Sequence, residues 1–233
     1  MSHPIPESRP VPPVDAASVV IVRGQGDKAE VLMGRRRPRA SFMPDVYVFP
    51  GGRVDPEDAL APPGVAPRPE VAAGLTRRCR SASATTLAIT IARETFEETG
   101  LLLCGEAADF TPDCVPDTPL WQAYRDAGAL PGLEALDYIA RAITPSSSPK
   151  RFNTRFFMAD ASHFRGELQG DAELLDLRWV VLTEAGQRLK IPNITQYILD
   201  EAAFHVSATP EARAQRPVPL RYHIGKIRRV VHE

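Results

Sequence analysis

The sequence has few cysteines and lacks a long apolar run. Its three cysteines, Cys79, Cys104 and Cys114, show no C-x-x-C spacing, and their odd number argues against a disulfide framework. The apolar stretches are shorter than about a dozen residues, which is too short to span a bilayer. We therefore expect a protein of the reducing cytoplasm that makes no membrane contact.

An excess of charge of either sign is also missing. The chain carries 28 basic and 29 acidic residues, a net charge of −1, so no overall attraction to nucleic acid or to an anionic membrane is expected. Its apolar content of 43% and charged content of 24% are typical of a globular protein. A chain of 233 residues can bury a sizeable core within one domain.

The first sixteen residues differ in composition from the rest. Residues 1–16 are rich in proline and lack the apolar segment of a signal peptide, so they predict a disordered or loosely packed arm. Residues 17–233 are predicted to form a single domain. Within them, residues 56–80 are rich in proline, alanine and glycine and are predicted to be mostly loop.

Strand-like and helix-like patterns alternate along this domain and predict a mixed α/β fold. Strands are predicted at 17–22, 30–33, 46–49, 101–104, 151–159 and 175–182. Helices are predicted at 85–99, 119–129, 133–143, 183–190 and 193–204.

Three carboxylates share one face of the predicted helix at 85–99. Glu94, Glu97 and Glu98 stand at positions i, i+3 and i+4, where like charges repel. A solvated acidic face is one interpretation of such a cluster. A metal site is the other, because Mg²⁺ usually binds through a few carboxylates together with substrate phosphates.

The segment upstream of this helix favours the metal site. A strand-like run at 46–49 leads into a Pro-Gly-Gly turn formed by Pro50, Gly51 and Gly52. Glycines permit a positive φ and a close approach of the backbone to a ligand.

The turn and the helix together resemble the Nudix hydrolases, whose signature is G-x5-E-x7-R-E-U-x-E-E-x-G-U, with U a bulky apolar residue. Gly52 matches the first glycine, and the segment from Arg93 to Leu101 matches the second half. Asp58 stands in place of the first glutamate, and Thr95 occupies a position that is usually apolar. Residues 59–92, 34 residues instead of seven, separate the two halves, which is an insertion of 27.

The resemblance implies the Nudix fold, an α/β/α sandwich with a mixed central sheet. On this fold the chain has a loop insertion inside the Nudix box, at about residues 59–84, and a second, helical insertion at about residues 105–150. The predicted helices at 119–129 and 133–143 fall within the second insertion.

The resemblance also implies roles for the residues of the box. Glu97 and Glu98 are expected to ligate Mg²⁺ or Mn²⁺, with the carbonyl of Gly52 as a further ligand. Glu94 is expected to act either as another ligand or, through a water molecule, as the general base. Arg93 is expected to orient a neighbouring carboxylate rather than to contact phosphate.

Four further acidic residues are candidates for the same site. Glu173 precedes a late strand by the spacing of a distal catalytic acid in Nudix proteins, and Asp171 is the alternative to it. Asp55, on the turn, is a candidate outer ligand. Asp58 is expected either to bind metal weakly or to cap the insertion.

Substrate contacts are predicted from arginines and an aromatic pair. Arg36 and Arg39 belong to a short basic run and, like Arg53, are candidates for contacts with substrate phosphate. Of Phe156 and Phe157, strand alternation is expected to place one ring in the core and the other, assigned to Phe156, against a substrate base.

The resemblance implies a metal-dependent pyrophosphohydrolase that cleaves a nucleoside diphosphate linked to another moiety. The segment 42–55, the interrupted box and the segment 151–157 resemble the branch that includes a peroxisomal coenzyme A diphosphatase, so coenzyme A or acyl-coenzyme A is the first expectation. ADP-ribose or a dinucleotide is the alternative substrate. A non-catalytic nucleotide sensor on the same fold is the alternative function, although such sensors typically lose the carboxylates. A homodimer is expected because many relatives dimerise.

Overall fold

The protein was analysed as a computed structural model, which describes residues 11–60, 66–76, 83–105, 117–170 and 173–233. Within these residues, nine strands form one mixed sheet. They are β1 (Val14–Arg23), β2 (Glu30–Arg36), β3 (Tyr47–Val48), β4 (Gly51–Arg53), β6 (Asp137–Ile143), β7 (Phe152–Asp160), β9 (Leu174–Val181), β10 (Pro219–Ile224) and β11 (Ile227–His232). A separate two-stranded sheet pairs β5 (Leu102–Leu103) with β8 (Phe164–Arg165).

The large sheet combines parallel and antiparallel neighbours. Its order is β11-β10-β6-β7-β1-β2-β3, with β4 paired to β1 and β9 paired to β2. The pairs β1–β7 and β6–β10 are parallel, and the other pairs are antiparallel. The helices are α1 (Pro69–Thr76), α2 (Ala84–Thr99), α3 (Pro119–Ala127), α4 (Ala185–Arg188), α5 (Asn193–Ser207) and α6 (Pro210–Gln215).

Strand β1 presents apolar side chains to both faces of the sheet, and helices cover both faces. Val19 and Ile21 pack into a core cluster shared with α1, α2 and α3. Val20 and Val22, which point the other way, pack into a second cluster shared with α4 and α5. The predicted α/β/α sandwich with a mixed central sheet is therefore confirmed.

The helix that carries the acidic face begins and ends where its sequence predicts. The Ser83 side chain accepts a hydrogen bond from the backbone N–H of Thr86, which caps the amino terminus. Gly100 ends the helix with φ at 75°, a left-handed conformation that glycine adopts without strain. Between them, Leu87 and Ile91 are fully buried against β1 and anchor the helix to the sheet.

The predicted helix at 133–143 is wrong. A single 3₁₀ turn, Leu133–Ala135, is followed by β6, which lies between β7 and β10 in the central sheet. Tyr138, Ile139 and Ala140 are all buried, because β6 is covered on both faces. A short continuous apolar run of this kind fits a buried strand and a buried helix equally well. Residues 137–143 therefore belong to the sheet rather than to a helical insertion.

Three other features of the fold also differ from the predictions. Strand β1 begins at Val14, so the predicted arm loses its last residues to the sheet, while residues 1–10 lie outside the described part of the chain. The predicted loop at 56–80 contains a 3₁₀ turn, Pro56–Ala59, and helix α1, since its alanines favour helix. The hairpin of β10 and β11 has no counterpart among the predicted elements.

Across the residues described, none of the helices combines the length and apolarity needed to traverse a bilayer.

Candidate metal and diphosphate site

A cleft of about 770 Å³ is lined by the turn at β4 and by the carboxyl-terminal half of α2. Acidic and basic side chains both reach it. The acidic residues are Asp55, Glu94, Glu97, Glu98 and Glu173, and the basic residues are Arg36, Arg37, Arg53, Arg93 and Lys150. A surface of this composition suits an anionic ligand that is bound together with a cation.

The three carboxylates of α2 line the same cleft at different depths. Glu98 is buried, the Glu94 side chain is 12% exposed and the Glu97 side chain is 50% exposed. An Oε2 atom of Glu98 accepts a hydrogen bond of 2.8 Å from the backbone N–H of Gly51. The glycine turn and the acidic helix are thus joined at the deepest carboxylate.

Burial makes negative charge costly at two of these carboxylates. Burial raises the pKa of Glu94 to about 7, although the adjacent Arg93 acts in the opposite direction. Burial and repulsion from Glu94 raise the pKa of Glu98 well above its usual range, and the charge of Glu173 adds to the effect. A cation in the cleft would relieve both effects.

Gly52 lies directly against the side chain of Glu94. A Cβ atom at this position would overlap the carboxylate of Glu94. Any other residue would therefore displace Glu94 or the β4 turn, so the matching glycine of the box has a steric reason to be there. Gly52 itself lines the cleft.

Arg93 is fully engaged by the protein. Its Nε and Nη2 atoms donate to the two carboxylate oxygens of Asp58 at 2.7 and 3.0 Å. Its Nη1 donates to Glu94 at 2.8 Å and to Glu97 at 3.0 Å, and Nη2 also donates to the carbonyl of Arg53 at 3.0 Å. A guanidinium has five N–H donors, and these five bonds use them all. Arg93 is placed to orient carboxylates, with no donor left for a phosphate.

Asp58 caps the segment that follows the turn. It is 1% exposed, and it forms a capping box with Asp55 at the start of the 3₁₀ turn. Its Oδ2 atom accepts hydrogen bonds from the Asp55 backbone N–H and the Thr90 hydroxyl, each at 2.8 Å. With Arg93 as its ion-pair partner, this carboxylate is enclosed, and it is not among the cleft-lining residues. Of the two alternatives weighed for Asp58, the geometry favours the cap.

The other predicted site residues fall into two groups. Glu173, Arg36 and Arg53 line the cleft. Arg39 is exposed and does not line it, and Phe156 is buried on the opposite face of the sheet from Phe157. Asp171 lies outside the described residues.

Sequence reasoning missed several residues of the cleft. Lys150 donates from Nζ to the Ser41 hydroxyl at 2.6 Å, and the rings of Phe42 and Phe152 meet edge to face with centroids 5.1 Å apart. These contacts join segments more than a hundred residues apart in sequence. The one local signal was Arg37, which belongs to the same basic run as Arg36 and also lines the cleft.

The donor set fits a hard divalent cation in chemical type. Carboxylate oxygens and a backbone carbonyl are the ligands that Mg²⁺ and Mn²⁺ take. Among the residues described, however, no three potential metal-ligating side chains already converge on one point. Arg93 lies between Glu94 and Glu97 instead, so binding of a cation requires these two side chains to turn from the guanidinium towards the cleft.

The fold and the cleft together define an α/β/α protein in which a helix of carboxylates faces a glycine turn. The family model of the NUDIX domain matches residues 12–202. The chain therefore belongs to the Nudix family, and it is a hydrolase that acts on phosphoric anhydride bonds. Members of this family generally use divalent metal ions.

A solved structure agrees with this assignment. A NUDIX hydrolase from Alicyclobacillus acidocaldarius is 29% identical, with a TM-score of 0.62, over 88% of this chain and 96% of that chain. The NUDIX domain of Shewanella oneidensis NrtR, solved with ADP-ribose, is 14% identical, with a TM-score of 0.48, over 84% of this chain and 90% of that one. No curated protein gave a significant match.

The buried carboxylates predict a pH dependence of stability in the metal-free protein. Because folding raises the pKa of Glu94 from 4.5 to about 7, its contribution to stability is fully present below pH 4.5 and is lost as the pH rises through 7. We expect wild type to lose roughly 1–3 kcal/mol of unfolding free energy relative to Glu94→Gln over this window. Urea titrations in EDTA at a series of pH values measure the difference.

Added Mg²⁺ provides the control for this prediction. Because a carboxylate must lose its proton to bind a cation, stabilisation by Mg²⁺ should increase as the pH rises through 7. A difference between wild type and Glu94→Gln that stays constant from pH 4.5 to 8 would contradict the assigned protonation.

Proposed function

We propose that this Nudix hydrolase is a metal-dependent pyrophosphohydrolase whose substrate is a nucleoside diphosphate linked to a second moiety, with coenzyme A or acyl-coenzyme A as the first candidate. The observation that carries the proposal is the pairing of two cavities. The cleft offers carboxylates and cations for a diphosphate. A second, more apolar cavity of about 430 Å³ adjoins it and leaves room for the attached group.

The residues of the cleft divide the work of hydrolysis. Glu97, Glu98 and Glu94, with the Gly52 carbonyl, would hold Mg²⁺ or Mn²⁺. A divalent cation supplies screening of the negative diphosphate oxygens, which otherwise repel a nucleophile. In the metal-free cleft Arg93 pairs with Glu94 and Glu97 and is itself anchored by Asp58.

Two carboxylates are candidates for the general base. Glu94, whose pKa lies near 7, is matched to accepting a proton from water at neutral pH if it is not itself a ligand. Glu173 lines the cleft from the segment just before β9 and is more exposed. In either case water attacks one phosphorus atom, the bridging P–O bond breaks, and the leaving phosphate takes the electron pair.

Basic side chains are placed for the phosphate groups. Arg36 donates from Nε to the Phe42 carbonyl at 3.1 Å, which fixes its direction at the boundary of the two cavities. Arg37, Arg53 and Lys150 line the cleft around it. We assign the leaving-group contact to Arg36, since it is the only one of the four that lines both cavities. Phe156 lines only the second cavity, as a wall for the attached moiety.

A turnover panel tests this function. The substrates are coenzyme A, acetyl-coenzyme A, ADP-ribose, NADH, diadenosine polyphosphates and nucleoside triphosphates, each with Mg²⁺ or Mn²⁺ and an EDTA control. We expect coenzyme A to be cleaved to 4′-phosphopantetheine and 3′,5′-ADP. Activity only on ADP-ribose or a dinucleotide would keep the mechanism and replace the substrate. Tight binding of one member without turnover of any would favour a nucleotide sensor.

Two properties of the protein complete the proposal. We place it in the cytoplasm as a homodimer that acts on small molecules rather than on nucleic acid. Light scattering coupled to size-exclusion chromatography measures the oligomeric state, and a monomer at micromolar concentration would contradict the dimer.

A further inference from the structure

The second cavity has an unusual charge composition. Its lining contains the basic residues Arg36, Arg221, His223 and Arg228, and no aspartate or glutamate among the described residues. The remaining lining is largely apolar and includes Val48, Phe49, Ile143, Phe156 and Ile194. This contrasts with the cleft, where acidic and basic residues are mixed.

Arg221 is a buried cation without an acidic partner. It is 6% exposed, its Nη1 donates to the Asn193 carbonyl at 3.0 Å, and its guanidinium lies 5.0 Å from the centre of the Tyr197 ring. Within the described residues it forms no ion pair. Burial and repulsion from Arg228 lower the pKa of Arg221. A buried cation with no anion beside it costs free energy, and an anionic ligand bound next to it would offset that cost.

Two more basic groups lie on the same wall, His223 on β10 and Arg228 on β11. His223 and Arg228 are partners in the register of β10 and β11. The Nδ1 atom of His223 is buried and finds no hydrogen-bond partner in the described part of the chain. The three side chains therefore concentrate positive charge and an unused polar atom beside one cavity.

The amino terminus of α5 faces the same cavity. Pro192, Asn193, Ile194 and Thr195 all line it, and no side chain caps this end of the helix. The first backbone N–H groups of a helix have no partner within the helix, and the helix dipole favours an anion there. Helix terminus and basic side chains thus point to the same kind of ligand.

We propose that this cavity binds a second anionic group of the substrate, a phosphate monoester that is separate from the diphosphate cleaved in the cleft. The inference rests on the proposed function and deepens it. Both cavities are lined by Ser18, Arg36, Phe42, Gly51, Phe152 and Thr154, so one molecule can occupy both. Strands β10 and β11 lie beyond residue 202, where the match to the family model ends, so part of this subsite stands outside the matched region.

Matched substrate pairs test the inference in turnover. Coenzyme A is compared with 3′-dephospho-coenzyme A, and ADP-ribose with its 2′-phosphate, by the ratio of kcat/KM within each pair. In wild type we expect the member with the extra phosphate to be preferred by about tenfold or more in at least one pair. Arg228→Gln, at an exposed position, and Arg221→Gln should each reduce that ratio by about tenfold. Arg229→Gln, on the same strand but outside the lining, should leave it unchanged.

Binding measurements separate this inference from the hydrolase proposal. Calorimetry compares 5′-AMP with adenosine 3′,5′-bisphosphate and its 2′,5′ isomer, and needs no turnover. Tighter binding of a bisphosphate, lost in Arg228→Gln, would support the subsite even if no substrate were cleaved. Equal affinity of wild type for all three nucleotides would overturn it and leave the hydrolase intact. If inorganic phosphate alone binds tightly, needs Arg228, and the nucleotides bind equally, the cavity is a free-phosphate site and the substrate assignment is wrong.

Discussion

Replacing Glu98 by glutamine should lower metal-dependent turnover by about 10²-fold or more. Glu98 is the deepest carboxylate of the cleft. It accepts a hydrogen bond from the backbone N–H of Gly51, and the Oε1 atom of a glutamine can accept the same bond. The substitution therefore removes negative charge while leaving the contact between turn and helix in place. Loss of a ligand charge lowers the affinity for the cation and the stabilisation of the transition state together.

The measurement is kcat and KM at a series of Mg²⁺ concentrations, for Glu97→Gln and Glu98→Gln. Glu57→Gln provides a matched control, because Glu57 is an exposed glutamate that does not line the cleft. Unfolding curves without metal verify that each variant folds. Full Mg²⁺-dependent turnover in both helix variants would refute the proposed metal site.

Replacing Asp58 by alanine should destabilise the protein by about 3 kcal/mol. The carboxylate is almost fully buried and accepts from Arg93, Thr90 and the Asp55 backbone. Its removal takes away one of the two hydrogen-bond acceptors of the Thr90 hydroxyl, the other being the Thr86 carbonyl, and the carboxylate that binds the guanidinium through two bonds. Activity should fall as well, since Arg93 would no longer be held where it orients Glu94.

Urea unfolding in EDTA measures this loss. Asp117→Ala is the matched control, because Asp117 pairs with Arg125 at 3.3 Å in an ion pair whose acidic side chain is 98% exposed, and exposed pairs contribute little. Asp58→Asn keeps oxygen and nitrogen atoms in the cap and should be less damaging than alanine. Equal stability of Asp58→Ala and wild type would show that the enclosed network makes no net contribution.

The sequence predicted the part of the site that lies within one continuous segment. Helix α2 and its acidic face follow from residues within one continuous segment, since helical spacing alone brings Glu94, Glu97 and Glu98 to one side. The family and the fold were likewise recognised from the two halves of the box.

The parts that were missed depend on contacts between distant segments. Strand β6 pairs with β7 and also with β10, about eighty residues later, while its continuous apolar run fits a buried helix equally well. The sequence showed Asp58 as a departure from the family pattern, but its pairing with Arg93 across 35 positions appears only in the structure. The basic lining of the second cavity combines residues of β10 and β11 with the amino terminus of α5. These segments come together only in the folded chain, so no one of them predicts the cavity.

The Asp58–Arg93 pair also has a consequence for how the protein tolerates change. The two residues stand at the two ends of the inserted segment, so this pair and the Thr90 hydrogen bond close the segment at its base. Closing a longer loop adds only about 0.6 kcal/mol for each doubling of its length. The distance between the glycine turn and the acidic helix is therefore set by this closure rather than by the length of the segment. Changes in that length are expected outside α1 and the first half of α2, since Leu75 and Leu87 are buried in the core.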